Sequence, residues 1–350
     1  MNSNLNHFNF SNNKNCSVKL FDSNPKNIEL LFDITEDSYT DHSLDNTFTI
    51  FKSFNDIIYV IYSNQFNSII SYDLLNYTII NEIKNAHIKN ITNFRHYLDN
   101  IYKRDLIISI SAEDNNLKLW NIYNFECLLN IKKVNKKGEL YSACFLNINS
   151  NIYIITSNYN WYCKTEPIKV FDLQGNKIKE INDSSYETNF IDIYYDNILS
   201  KIYIITGNYG FIKSYDYGKN MIYHKYYDND NNNHISIIIN EHKLIDSSFD
   251  GNIRVWNFYS AELLNKIKIG NVNLFSICLW NNEYLFIGTE DNKIKILNLK
   301  TGIILKSLID CNNSVLCIKK FFHPKYGECL ISEGLCNEQI KIWVNKYLIK

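Results

Sequence analysis

Proline and glycine are both scarce: the 350 residues include only three prolines and 11 glycines. The turns must therefore be built from other residues, and the abundant asparagines and aspartates suit them, because their side chains bond nearby backbone groups. Charged residues are also few, at 21%, and the net charge is −1. This balance lacks the basic surface that nucleic-acid-binding domains carry, so we expect no nucleic-acid partner.

Paired cysteines and long apolar runs are missing as well. The nine cysteines include no C-x-x-C pair, and Cys311 and Cys317 are spaced more widely than zinc ligands usually are. No segment reaches the roughly 18 uninterrupted apolar residues that a membrane helix needs. The N-terminal segment has neither the basic start nor the apolar run of a signal peptide. These absences favour the cytoplasm, with the nucleus as an alternative, and predict no membrane association.

The sequence contains no G-x-G-x-x-G, G-x-x-x-x-G-K, H-E-x-x-H or G-x-S-x-G motif. Residues 228–234, DNDNNNH, begin like a calcium loop. However, Asn233 stands where the turn glycine belongs, and Ile239 where the bidentate glutamate belongs. We therefore expect no metal, no cofactor and no catalytic activity, although a catalytic set assembled from distant residues stays possible.

One short pattern recurs seven times: an alternating strand that ends in an anchor residue, which is usually aromatic and is usually followed by Asp or Asn. The anchors are Tyr72, Trp120, Phe171, Tyr215, Trp256, Leu297 and Trp343. Their spacing of 41 to 51 residues is close to the 40–45 residues of a four-stranded propeller blade.

Each anchor strand, called c, is preceded by two further apolar runs, a and b, and six are followed by a fourth, d. The missing seventh d strand can come from residues 28–34, which would join both chain ends within one blade. We therefore predict an all-β fold, a seven-bladed β-propeller over residues 28–350, preceded by an N-terminal segment, 1–27. The predicted blades are 48–84, 87–133, 139–182, 186–227, 234–269, 273–310, and 314–344 with 28–34.

Two segments leave alternatives open. Residues 18–21 followed by Asp22 look like an eighth c strand, although no a and b strands precede them. Residues 346–350 compete with 28–34 for the last d position. Seven blades closed by residues 28–34 remain the leading prediction.

These residues resemble the WD-repeat family. In that family a Trp-Asp pair ends strand c, an Asp occupies the b–c turn and a Gly-His precedes strand a. Asp114, Asp250 and Asp291 stand six residues before their anchors, as the resemblance requires. The Gly-His pair is absent, and only His87 and His234 offer a histidine in the right region. The family's Asp–His–Ser–Trp network can therefore be complete in at most two blades.

The aspartates and histidines are interpreted as structural residues. Turn aspartates bond their own backbone more often than they act in catalysis, and buried histidines in such networks need polar partners. The predicted bracing residues are His87, Asp114, Trp120, His234, Asp250, Trp256, Asp291 and Trp343.

Candidate partner-binding residues lie in the loops that follow strand b. The loop of residues 157–167 is longer than its equivalents and carries three large aromatic residues, the composition of an interface hot spot. The same loops of other blades add further candidates. The full predicted set is Gln65, Phe66, Tyr159, Trp161, Tyr162, Tyr209, Phe249, Glu290 and Glu338. Five of its six aromatic members cluster on blades 3, 4 and 5, although Trp161 could instead fold back and be buried.

The leading functional hypothesis is a non-catalytic intracellular scaffold that binds proteins or peptides, as a monomer or as a subunit of a larger complex. It rests mainly on the fold, which many functions share. One alternative is a substrate receptor of a cullin-type ubiquitin ligase, although the stretches after Trp120 and Trp256 lack the arginine common in such receptors. Another is an enzyme or small-ligand binder that uses the central channel, whose predicted strands are mostly apolar.

Overall fold

A computed structural model of the chain describes residues 25–34, 47–136, 138–159, 166–182, 188–309, 313–335 and 340–345. These residues form seven separate four-stranded antiparallel sheets. The predicted seven-bladed β-propeller is thereby confirmed. The described residues contain one 3-10 helix, Pro25–Asn27, and no helix long and apolar enough to cross a membrane.

Strand β1 (Ile28–Asp33) stands first in the chain, and the remaining strands follow in blade order, a to d. Blade 1 contains β2 (Thr49–Lys52), β3 (Ile58–Ser63), β4 (Ile69–Asp73) and β5 (Thr78–Ile83). Blade 2 contains β6 (Asn93–Asp99), β7 (Arg104–Ser111), β8 (Asn116–Asn121) and β9 (Glu126–Ile131). Blade 3 contains β10 (Ala143–Ile148), β11 (Asn151–Thr156), β12 (Ile168–Asp172) and β13 (Lys177–Ile181).

Blade 4 contains β14 (Thr188–Asp196), β15 (Lys201–Asn208), β16 (Phe211–Asp216) and β17 (Met221–Tyr226). Blade 5 contains β18 (His234–Asn240), β19 (Lys243–Ser248), β20 (Asn252–Asn257) and β21 (Leu263–Lys268). Blade 6 contains β22 (Leu274–Leu279), β23 (Tyr284–Thr289), β24 (Lys293–Asn298) and β25 (Ile304–Ile309). Blade 7 contains β26 (Val315–His323), β27 (Gly327–Gly334) and β28 (Lys341–Asn345).

Burial explains the sequence pattern of the strands. Strand b of blade 1, β3, is buried at all six positions, because both faces of its sheet pack against neighbouring blades. Such a strand reads as a continuous apolar run rather than as an alternation. The outer strand β5 begins with three exposed residues, two of them Ile79 and Ile80. The core therefore lies between blades, and the d strands form the outer rim.

The ring is closed by β1, which pairs antiparallel with β28 and supplies the d strand of blade 7. Ile28 faces Asn345 at one end of this pairing. At the other end the Ile34 N–H donates to the Ile340 carbonyl at 2.8 Å. The predicted closure by residues 28–34 is confirmed. Residues 18–22 and 346–350, which carried the alternatives, lie outside the described residues.

The Asp or Asn after each anchor has a defined role in the turn between strands c and d. Asp73 Oδ1 accepts the Leu75 N–H at 2.8 Å, and Asn298 Oδ1 accepts the Lys300 N–H at 2.9 Å. The corresponding residues of the other blades that have a c–d turn likewise accept a backbone N–H two or, for Asp216, three residues later. Blade 7 has Val344 at this position, and its d strand is β1.

Removal of the closing strand should destabilise the ring. Ile28 and Ile34 are 1% and 0% exposed, and full burial of each contributes about 1.5–3 kcal/mol. Deletion of residues 1–36 should therefore lower the melting temperature by several degrees and promote aggregation, because the edge of β28 becomes unpaired. Circular dichroism melts and light scattering measure both effects. Deletion of residues 1–24 is the control, and equal behaviour of the two deletions would contradict this role.

Candidate functional site

The b–c turns and the d–a connections lie on one face of the ring, called the top face below. Backbone hydrogen bonds join the two kinds of loop between neighbouring blades. The Val134 N–H donates to the Asn115 carbonyl at 2.9 Å, and the Gly210 N–H donates to the Asn232 carbonyl at 2.8 Å. Within the described residues, backbone hydrogen bonds thus join b–c turns to the adjacent d–a connections.

The b–c turns depend on residues that tolerate a left-handed backbone. The turn residues with positive φ are Asn67, Asn115, Gly210, Gly251 and Asn292. At Gly251 an added Cβ would lie 2.0 Å from the Gly270 carbonyl oxygen, so a larger residue would separate the turn from the next connection. Asparagine thus replaces glycine in most of these turns, which agrees with the scarcity of glycine in the sequence.

Every tryptophan anchor has a hydrogen-bond acceptor on the neighbouring strand b. The indole nitrogens of Trp120, Trp256 and Trp343 donate to Ser109 at 2.8 Å, Asp246 at 2.6 Å and Ser332 at 2.8 Å. In blade 6 the anchor is Leu297, and Ile287 occupies the corresponding position of strand b. Replacing both partners by apolar residues leaves no polar atom unsatisfied, so the blades differ in chemistry without a large cost.

In blade 2, His87 is 3% exposed and forms the serine and tryptophan part of the network that the resemblance implies. His87 Nε2 lies 2.8 Å from Ser109 Oγ, which also accepts the Trp120 indole N–H. Asp114 lies 4.0 Å from His87 Nδ1 and accepts the backbone N–H groups of Asn116 and Ile88. Burial, together with Lys118, lowers the pKa of His87 to about 3, so this histidine is neutral at physiological pH.

In blade 5, the partners of the buried histidine differ from those that the WD-repeat resemblance implies. His234 Nδ1 lies 2.6 Å from Asp246, which stands in place of a serine, and Nε2 lies 3.4 Å from Asp230. Burial by itself would lower the pKa of His234, but the two carboxylates outweigh it and raise the pKa to about 9. The predicted partner Asp250 does not contact this histidine in any described bond. The expected network is therefore replaced in blade 5 by a charged one.

Asp250 instead belongs to an ion cluster around Arg254, whose side chain is fully buried. The guanidinium lies 2.9 Å from Asp228, 2.7 Å from Asp230 and 2.5 Å from Asp250. Burial alone would raise the pKa of Asp250, but hydrogen bonds from Arg254 and Asn252 hold it below its usual range. The calcium-like segment 228–234 thus places its two aspartates on an arginine. The described residues contain no cluster of three or more His, Cys, Asp or Glu side chains arranged to hold a metal ion.

Arg254 is one of six cations that stand two residues before an anchor. The others are Lys118, Lys169, Lys213, Lys295 and Lys341. Several bind the d–a connection that enters their own blade: Lys118 donates to the Ala86 carbonyl at 2.5 Å, and Lys169 to the Val134 carbonyl at 2.7 Å. Lys295 lies 3.5 Å from Asp291 of the b–c turn. Sequence reasoning missed this set, although its regular position relative to the anchors could have revealed it.

The predicted partner-binding residues have different surroundings. Gln65, Phe66, Tyr209 and Glu290 are exposed, and Phe249 is partly buried with its ring edge-on to Phe275, 5.4 Å between centroids. Tyr159 is only 4% exposed and stacks on Tyr141, so its ring is a packing element and is not available at the surface. Trp161, Tyr162 and Glu338 lie outside the described residues.

Two of the predicted aromatic residues meet at one backbone position. Tyr209 of blade 4 forms a β-bridge with Asn233, and the Phe249 N–H of blade 5 donates to the Asn233 carbonyl at 3.1 Å. Sequence reasoning missed two further rings nearby, Phe211 and Tyr227. Lys225 Nζ lies 3.9 Å from the Phe211 ring centroid and 5.0 Å from that of Tyr227. Tyr209, Phe211, Lys225, Tyr227 and Phe249 are called the blade 4–5 patch below.

The inner strands use several polar side chains to join blades. Arg95 of β6 reaches past blade 3, lying 3.8 Å from Asp192 and donating to the Ile191 carbonyl of β14 at 3.3 Å. Ser236 Oγ accepts the Ile277 N–H of the next blade at 3.3 Å. In this pair the charges of Arg95 and Asp192 neutralise each other. A hydrolytic site would instead need several convergent carboxylates or metal ligands.

No protein-family model matches this chain, and no curated protein is detectably similar to it in sequence.

The two braced histidines should give folding stability opposite pH dependences. The pKa of His234 is raised, so its contribution is complete below about pH 6.5 and is lost as the pH rises through about 9. The pKa of His87 is lowered, so its contribution is complete above about pH 6.5 and is lost as the pH falls towards 3. Urea unfolding between pH 5 and about 9.5 should show that His234→Gln flattens the alkaline side and His87→Gln the acidic side. Identical profiles for the two variants would contradict the assignment.

Loss of Arg254 should destabilise the chain strongly. Arg254→Met leaves Asp228, Asp230 and Asp250 without their shared buried cation, and removal of one partner from a buried ion pair costs about 3–5 kcal/mol. The unfolding free energy of Arg254→Lys should lie between those of the unsubstituted chain and Arg254→Met. Lysine keeps the positive charge but cannot match several carboxylates with a planar fork of donors. Lys295→Met is the matched control, since its partner Asp291 is more exposed. Equal unfolding free energies for Arg254→Met and Lys295→Met would contradict the role of this cluster.

Proposed function

We propose that this chain is a non-catalytic member of the WD-repeat family that works as an interaction scaffold for other proteins or peptides. The seven blades, the recurring anchors and the blade 2 network around His87 support the family assignment. A β-propeller is commonly a protein-interaction scaffold. The nine scattered cysteines include no C-x-x-C pair, which favours a reducing compartment and so supports a cytoplasmic or nuclear location.

The observation that carries the proposal is the blade 4–5 patch. Tyr209 and Tyr227 are 48% and 51% exposed. Tyrosine is enriched in binding hot spots because it buries a large apolar area and keeps a polar group at its tip. Lys225, placed between the Phe211 and Tyr227 rings, adds a positive charge at the edge of the patch. A partner that inserts an apolar side chain and carries a nearby carboxylate would satisfy both features.

The patch is held rigidly by the cluster beneath it. Asp228 directly follows Tyr227 and binds Arg254 at 2.9 Å. The backbone bonds through Asn233 hold Tyr209 and Phe249 on either side of the same connection. A surface that is ordered before binding loses less conformational entropy on association. This is the arrangement expected of binding residues displayed on a rigid scaffold.

Affinity purification from the native cell, followed by quantitative mass spectrometry, tests this proposal. Tyr209→Ala combined with Tyr227→Ala should reduce recovery of the main partners about tenfold or more, because hot-spot truncations cost about 2 kcal/mol or more each. Tyr102→Ala is the control, since Tyr102 is 71% exposed in the a–b turn of blade 2, on the opposite face. Trp161→Ala tests the blade 3 loop separately. Unchanged recovery with the double variant would refute the patch as the binding surface.

A further inference from the structure

An open cavity of about 400 Å³ lies at the seam between the closing strand and blade 1. It is formed by three separate parts of the chain: the end of β1, the strand c and c–d turn of blade 1, and the a–b turn of blade 7. Its lining residues are Leu31, Phe32, Asp33, Tyr72, Tyr77 and Tyr326. This seam cavity is distinct from the blade 4–5 patch in position and in composition.

Four of the six lining residues are aromatic. Tyr72 and Tyr326 are each 7% exposed and form buried walls, whereas Tyr77 is 49% exposed and stands at the mouth. Phe32 meets Tyr77 edge-on, with 5.0 Å between ring centroids. The faces of aromatic rings are electron-rich and attract cations that come within about 6 Å of the ring centroid.

Asp33 supplies a negative charge to the same cavity. Its Oδ1 atom is shielded from solvent and has no hydrogen-bond donor among the residues that the structure describes. A buried acceptor without a donor is costly, and a carboxylate is more costly than a neutral group. A bound cation would compensate the charge of the Asp33 carboxylate, which the uncharged aromatic rings of the lining cannot do.

One cation of the protein already lies against the outer edge of this cavity. Lys325 Nζ is 4.8 Å from the Tyr326 ring centroid, and the Lys325 side chain is exposed. The contact agrees with the electron-rich character of the wall. It also makes Lys325 a competitor for any positively charged ligand.

We propose that the seam cavity binds a methylated ammonium group. A methylated ammonium spreads its charge over apolar methyl groups, so aromatic walls can replace its weak hydration, as in the aromatic cages that recognise choline or methyl-lysine. A plain lysine ammonium is compact and strongly hydrated, and it would lose more on leaving water. The group can belong to a free molecule such as choline or to a methylated lysine of a protein.

The position of the cavity ties binding to ring closure. Phe32 and Asp33 belong to β1, whereas Tyr72 and Tyr77 belong to blade 1. The complete lining exists only while β1 is paired in blade 7. A ligand that binds only this state stabilises it by mass action, so it should also raise the melting temperature.

Calorimetric titration of the full chain tests the charge requirement. The probes are choline, its neutral isostere 3,3-dimethyl-1-butanol, and a short peptide with trimethylated or unmodified lysine. The methylated cation should bind about tenfold or more tightly than its neutral or unmethylated counterpart. Tighter binding of choline indicates a free ligand, and tighter binding of the trimethylated peptide indicates a protein partner; either result supports the proposal. Equal binding of charged and neutral probes, or no binding by any of them, would overturn it.

Substitutions place the binding in the seam cavity. Tyr77→Ala and Asp33→Asn should each weaken binding about tenfold, and Lys325→Ala should strengthen it by removing the competitor. Tyr102→Ala is the matched control, because Tyr102 is 71% exposed and lies in the a–b turn of blade 2, away from the seam. Since Tyr77 is half-exposed and outside the closing strand, its variant tests the site even where Asp33→Asn loosens closure. Equal affinities of Tyr77→Ala and Tyr102→Ala would overturn the assignment.

Discussion

The antiparallel pairing of β1 with β28 places Ile28 opposite Asn345, close to the two ends of the described chain. Every sheet of this molecule needs a neighbour on each face, since its core lies between blades. An open row of blades would leave two terminal faces and the edge of β28 in water. Pairing of β1 with β28 covers both terminal faces and the edge of β28. The entropy cost of joining residues so far apart in the chain is modest, because it grows only slowly with their separation. The closed ring thus depends on a single strand pair.

Within the closed ring, each blade must bury its anchor side chain without leaving a polar atom unsatisfied, and the blades do so with different residues. A tryptophan anchor brings an indole N–H into the interior, so it occurs with Ser109, Asp246 or Ser332 as an acceptor. A leucine anchor brings no donor and occurs opposite an apolar residue. The blades thus share one backbone geometry but differ in the side-chain pairs that they bury. This explains why the sequence repeats are divergent although their spacing is regular.

The fold could be predicted from the sequence because its signals are local: each c strand carries its own anchor, and the following Asp or Asn marks its turn. The site was predictable only in part. Asp246 stands ten residues before Trp256, whereas Ser109 stands eleven before Trp120, because the b–c turn of blade 5 is shorter. No motif at fixed spacing finds such a residue. Likewise, the burial of Tyr159 on Tyr141 and the meeting of Phe32 with Tyr77 depend on contacts between separate segments.

The two candidate binding surfaces are supported by different parts of the ring. The blade 4–5 patch rests on the ion cluster of Arg254 and on backbone bonds through Asn233, whereas the seam cavity rests on the closing strand. In a repeat architecture each unit contacts mainly its neighbours, so strain at one blade fades within a short distance. Blades 7 and 1 lie across the ring from blades 4 and 5. We therefore expect a ligand in the seam to stabilise closure without changing the geometry of the patch, so that binding at the two candidate surfaces would be independent.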